Sequence, residues 1–156
     1  MQGVGLLVLR LTLGLTLVLH GLPKLVPMWG MGPRETEALF VATGVTPAYA
    51  IAVGYGLVQL LSGLLLFAGA YTLWTSLLLV TTISTVAWKL HVPHGFFINW
   101  AMEPGVGHGV EQSFLIVGGV VCLMLAGPGP FSIDRRRARA AEARKLSRTV
   151  ARAAKK

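Results

Sequence analysis

Residues 4–22 read VGLLVLRLTLGLTLVLHGL, an apolar run broken by two ionisable side chains, Arg10 and His20, with Lys24 just beyond it. The run matches the ~20 apolar residues that a helix needs to cross a bilayer. An ionised side chain inside such a span costs about 3 kcal/mol on insertion scales, so it is retained for a partner or a function. The polar residues, not the apolar ones, therefore carry the information in this chain.

Three further stretches, 47–68, 71–88 and 109–126, have the same character. With 54% hydrophobic and 13% charged residues over 156 positions, the chain is too apolar for an ordinary soluble domain. The reading is all-α: an integral membrane four-helix bundle over residues 1–134, followed by a basic tail over 135–156. The first span lacks a basic leader, holds Arg10 inside its apolar part and shows no small-x-small cleavage site before Pro23, so a retained helix is expected rather than a signal peptide.

The net charge of +8 sits in one place. Residues 134–156 hold ten Lys and Arg against Asp134 and Glu142, which is +8, and the remainder of the chain sums to zero. Basic residues beside a span stay in the cytoplasm, so both termini are expected inside a bacterial inner membrane, with loops 23–46 and 89–108 outside. The tail is rich in Ala, Arg and Lys and reads as a helix that touches anionic lipid. Leu146 and Val150 are its only large aliphatics. No zinc, helix-turn-helix or RNA-binding signature accompanies it, so no nucleic acid is expected.

Arg10, Gly14, Leu17, Gly21 and Lys24 recur at three- and four-residue spacing and share one stripe of the first helix, with His20 at its edge. Arg10 and His20 stand roughly 15 Å apart along the axis. The second span repeats the pattern with Tyr55 or Gly56, Gln59, Ser62 and Gly63. The third offers Thr81, Ser84, Thr85 and Trp88, and the fourth Glu111, Leu115, Gly118 and Cys122. Small residues let helices approach and polar ones bond across the contact, so these four stripes are expected to face the bundle interior. Residues 69 and 70 leave only a tight turn between the second and third spans. Loop 23–46 is expected to hold a short helix from Glu35 to Thr43.

All four histidines, with Lys24, Lys89, Glu103 and Glu111, map to the outer third of the molecule. Cations, a carboxylate and aromatic walls there suit a polar head group, a quinone or an oxyanion. His91 and His94 have a spacing that two metal ligands use, yet no thiol pair or His-Glu-x-x-His accompanies them, and no metal is assigned. Cys122 is the single thiol, which excludes an intramolecular disulfide. Asp134, the single aspartate, lies far from every histidine and is expected to cap the tail helix, which leaves no Ser-His-Asp set.

Several segments resemble one family. Arg10-Leu11-Thr12-Leu13-Gly14, then His20-Gly21-Leu22-Pro23-Lys24-Leu25, Gly63-Leu64-Leu65-Leu66-Phe67-Ala68-Gly69, residues 91–97 and the GPGPFSID run at 127–134 look like the DoxX family of small bacterial membrane proteins. The resemblance covers about residues 4–134 and leaves the tail outside. It implies a four-helix membrane protein whose relatives are tied to quinone-coupled thiosulfate oxidation or to redox stress. Arg10, Gly14, His20, Gly21 and Lys24 match the family's first-helix pattern, and Glu111 matches the acidic residue at the start of its fourth helix. Gln59 stands where family members often carry Glu, and an amide cannot hold a proton for transfer.

The expectation is thus a quinone-linked or accessory redox subunit that binds a small molecule at the outer end of the bundle. Arg10, His20, Lys24, Gln59, His91, His94 and Glu111 are the candidate polar cluster. Arg10 is expected to pair with Gln59 or a backbone carbonyl, and Glu111 to balance charge or exchange a proton. The alternative is a non-enzymatic membrane scaffold or chaperone-like partner, because no residue set demands catalysis. Partners under either reading are the bilayer, anionic lipid at the tail, redox proteins and a second copy of the chain.

Overall fold

The computed structural model describes residues 2–29 and 31–154, and among them every regular element is helical. In chain order these are α1 (Gln2–Leu25), α2 (Pro33–Ala42), α3 (Ala48–Ala68), α4 (Thr72–Leu90), a 3-10 turn (Val92–His94), α5 (Glu111–Ala126) and α6 (Ile133–Ala153). α1, α3 and α4 are long and apolar enough to cross a membrane. α5 is apolar but has 16 residues, about 24 Å of helix.

The frame of the bundle is the antiparallel pair α1 and α3, which meet backbone to backbone. Gly14 lies against Gly63 and Gly21 against Gly56, two glycines seven residues apart on each helix. A Cβ on Gly14 would stand 2.8 Å from the Gly63 carbonyl oxygen, and one on Gly21 would stand 2.8 Å from that of Gly56. Only glycine permits such an approach, and the closeness multiplies dispersion contacts where no hydrophobic drive separates helix from lipid. α4 and α5 close the bundle over this pair. Leu13, Leu17, Leu66, Leu79, Ile83, Val120 and Leu123 form the shared core, so all four apolar helices contribute to one interior. α2 packs on the upper part of α3 through Phe40, Ala48 and Ala52.

The interior faces of α1 and α3 are the ones expected, with Arg10, Gly14, Leu17 and Gly21 buried on the first and Gly56, Gln59, Ser62 and Gly63 on the second. Those of α4 and α5 are not. α4 buries Thr72, Thr75, Ser76, Leu79, Ile83 and Ala87, whereas Thr81, Ser84, Thr85 and Trp88 point outward. The outward hydroxyls need no neighbouring helix, because Thr81 and Thr85 donate to the carbonyls of Leu77 and Thr81 on their own helix, at 2.9 and 2.8 Å. On α5 the buried residues are Val120 and Leu123. Gly118 has nothing near it, and Leu115 and Cys122 are exposed.

At one end of the bundle the chain is clasped. Arg10, only 2% exposed, donates from its two terminal nitrogens to the carbonyls of Pro128 (2.7 Å) and Phe131 (2.9 Å), the loop that joins α5 to α6. Its guanidinium lies over Gly69, whose φ of 66° and lack of a Cβ both serve the turn between α3 and α4. Asp134 completes the clasp from the other side. Its carboxylate accepts from the amides of Tyr71 and Thr72, both at 2.8 Å, and its own amide donates to the Gly69 carbonyl. Asp134 therefore caps α4, not the tail helix as expected. The residue that caps α6 is Ser132, whose hydroxyl accepts from the Arg135 amide. Burial alone would raise the Asp134 carboxyl, but the Thr72 and Tyr71 bonds and the nearby Arg137 outweigh it and hold the group below the usual carboxylate range.

Candidate functional site

The opposite end of the bundle holds a cavity of about 190 Å³, bounded by α1, α2, α3, α4 and α5. Its apolar walls come from Phe40, Tyr55, Ile83, Val86, Leu90 and Ile116, and its polar groups from His20, Lys24, Thr36, Gln59, His91, Gln112 and Ser113. The α1 stripe delivers the Lys24 ammonium. The α1–α3 glycines set the spacing that puts Lys24 beside Tyr55, with the ammonium 5.5 Å from the ring centroid. Phe40 of α2 meets the same ring edge-on, centroids 6.2 Å apart, so α2 acts as a lid that orders Tyr55.

The hydrogen bonds fix how each polar group presents itself. His20 Nδ1 donates to the Thr16 carbonyl at 2.9 Å, since a carbonyl can only accept, which leaves Nε2 to pair with the Gln112 side-chain amide at 2.8 Å. That bond ties α1 to α5 across the cavity. Lys24 Nζ donates to the His20 carbonyl, and two of its three hydrogens remain for another acceptor. Among the described residues no carboxylate stands within ion-pair distance of this ammonium, and none lines the cavity. Gln59, 5% exposed, donates from Nε2 to the Tyr55 hydroxyl at 3.0 Å, and its Oε1 is buried with no partner.

Of the expected cluster, His20, Lys24, Gln59 and His91 come together around this cavity. Arg10, His94 and Glu111 do not line it. Arg10 belongs to the clasp at the other end and pairs with backbone carbonyls, not with Gln59. The Glu111 carboxylate accepts from the Ile98 amide at 3.2 Å, so it holds the loop before α5. His94 packs its ring on Gly107, while His91 donates from Nδ1 to the His108 carbonyl at 3.0 Å and His108 Nδ1 accepts from the Asn99 amide. The loop histidines thus shape the loop between α4 and α5. Among the described residues no three His, Cys, Asp or Glu side chains gather as a metal would require.

Tyr55, Thr36, Phe40 and Gln112 enter the site without having been singled out for it. Tyr55 is one helical turn before Gln59, a spacing that signals a side-chain pair. Thr36, Phe40 and Gln112 reach the cavity through tertiary contacts that no local pattern encodes. Asn99 was likewise unmarked, yet its side chain bonds Val106 and both the amide and carbonyl of Glu103 and so organises the loop between α4 and α5.

These features define a helical membrane protein with a ring-sized, partly polar cavity at one end and a clasped basic helix at the other. The chain matches the DoxX family over residues 5–92, more than half its length, and it belongs to that family. The match takes in α1, α3, α4 and the cavity residues they carry, and it ends short of α5, the clasp loop and the tail. No curated protein and no solved structure matches the chain.

Proposed function

We propose that the protein is a DoxX-type membrane subunit that holds the oxygen-bearing ring of a small molecule, a quinone head group by class, in the cavity between α1 and α5. The observation that carries this reading is the pairing, in one apolar cavity, of a Lys24 ammonium without a carboxylate and a buried Gln59 oxygen without a donor. An orphaned buried acceptor costs about 1–3 kcal/mol unless something completes it. In the reduced form a ring hydroxyl would donate to Gln59 Oε1, and in the oxidised form a ring carbonyl would accept from Lys24. The size is appropriate: an apolar cavity of about 150 Å³ already takes benzene. A quinone, when bound, supplies two-electron redox chemistry that no side chain here has. The residues of the chain bind and orient it, and Phe40 and Tyr55 exclude water from one face.

In this reading α5 joins α1, α3 and α4 as a fourth membrane helix, supported by its place in the same core. Both termini lie on the cytoplasmic side and the cavity faces outward, in keeping with the charge of the tail.

The test is mass spectrometry of an organic extract from detergent-purified protein. Wild type should retain a quinone, Lys24→Met and Gln59→Leu should lose it, and Thr85→Val on the outward face of α4 should keep it. Phospholipid alone in wild type, or equal retention in all four proteins, would defeat the proposal.

A further inference from the structure

The clasp that holds Arg10 also aims α6, and we infer that the face it aims is a docking surface for anionic phospholipid head groups. The inference rests on the membrane reading of α3 and α4, whose shared turn then lies at a bilayer surface. α6 is 21 residues long, has no buried residue and forms no extended interface with another helix. A free helix of that length is marginal in water, so a surface to lie on would stabilise it.

Its first turn is fixed to the α3–α4 turn by Asp134 on the Tyr71 and Thr72 amides and by Arg137, whose guanidinium lies 4.9 Å from the Tyr71 ring centroid. Arg144, Lys145, Arg148 and Arg152 follow Arg137 at helical spacing and extend that same face beyond the bundle. Arg137, Ala140, Ala141, Arg144, Lys145 and Arg148 line one shallow groove, basic side chains over an alanine floor, with no carboxylate in it. The face that meets the turn thus continues outward as a row of cations that starts at Tyr71, beside the α3–α4 turn.

Charge complementarity selects the occupant. Each Lys or Arg near an anionic leaflet adds affinity, and the clasp holds the row beside that leaflet at high effective concentration. A single-stranded nucleic acid would want aromatic side chains to stack on, and residues 134–154 contain none. Insertion by the other face has little to work with, since Leu146 and Val150 are its only large aliphatics.

Amide hydrogen exchange of the full chain in nanodiscs tests the inference. Adding phosphatidylglycerol to phosphatidylcholine discs should slow exchange over residues 137–152 about tenfold while α3 and α4 stay equally protected in both. The slowing should vanish at high salt and in the Arg144→Gln, Lys145→Gln, Arg148→Gln triple variant. Equal exchange in the two lipids would overturn the inference, as would an equal loss of the effect in Leu146→Ser, Val150→Ser or its displacement by added RNA. Unprotected α3 and α4 in both discs would overturn the membrane reading and this inference with it.

Discussion

At the scale of single residues, Arg10 shows why an intramembrane charge need not belong to the cavity. Its planar fork reaches two carbonyls at once, Pro128 and Phe131, and a lysine ammonium cannot reproduce that geometry. Arg10→Lys should therefore destabilise the protein by about 1.5–3 kcal/mol, the range for a hydrogen bond to a charged group, read as a lower melting temperature in detergent. Quinone retention measured below that temperature should match wild type. An unchanged melting temperature would show that the clasp contributes nothing. Asp134 gives a pH signature. Because its carboxyl is held below the ordinary 3.8, its contribution is fully present above about pH 4 and is lost as pH falls through the lower folded value. Asp134→Asn should thus lose stability relative to wild type by a constant amount near neutrality, and the two curves should converge at strongly acid pH. That a charge at Arg10 needed a partner was legible from its neighbours in sequence. That the partner was the 127–134 loop was not, since the contacting residues are separated by 118 and 121 positions.

At the scale of elements, the bundle separates glycines that work from glycines that do not. Gly14→Ala would drive a methyl into the Gly63 carbonyl and the Phe67 amide, so α1 and α3 must move apart at a cost of about 1–3 kcal/mol. Gly118→Ala on α5 meets nothing within 4 Å and should gain up to about 1 kcal/mol from helix propensity. Thermal unfolding of the two variants should move in opposite directions, and a shared direction would mean that the α1–α3 contact is not the close one. The three- and four-residue spacing of the small and polar residues made the α1 and α3 faces readable. On α4 the same logic failed because hydroxyls in a lipid-facing helix can satisfy themselves on the preceding turn, so a polar stripe there does not mark the interior. The order and approximate bounds of the apolar helices were legible in hydropathy. α5 starts two residues later than expected, because Gly109 and Val110 give their amides to Phe97 and Gly95 and fold the loop between α4 and α5 back on itself.

At the scale of the whole molecule, the polar residues divide between two ends that do different things. One end joins α1, the α3–α4 turn and the start of α6 through Arg10 and Asp134, and the other surrounds a cavity with His20, Lys24, Gln59 and His91. The antiparallel alternation of α1, α3, α4 and α5 places residues 10, 69 and 132 on one side and residues 24, 55, 91 and 111 on the other. If the basic tail sets the orientation, the clasp faces the cytoplasm and the cavity faces out. Replacing Cys122 by Ala and placing a single cysteine at Ser147 or at Glu103 tests this directly with a membrane-impermeant maleimide. In spheroplasts the cysteine at 103 should react while that at 147 stays silent until the membrane is opened. The reverse pattern would put the cavity on the cytoplasmic side, so the head group proposed for it would be exchanged inside the cell. Reaction at both positions in intact spheroplasts would mean that α5 does not cross. That outcome would also break the clasp, which ties residues 128–134 to Arg10 and the α3–α4 turn at the end of the bundle opposite residue 103.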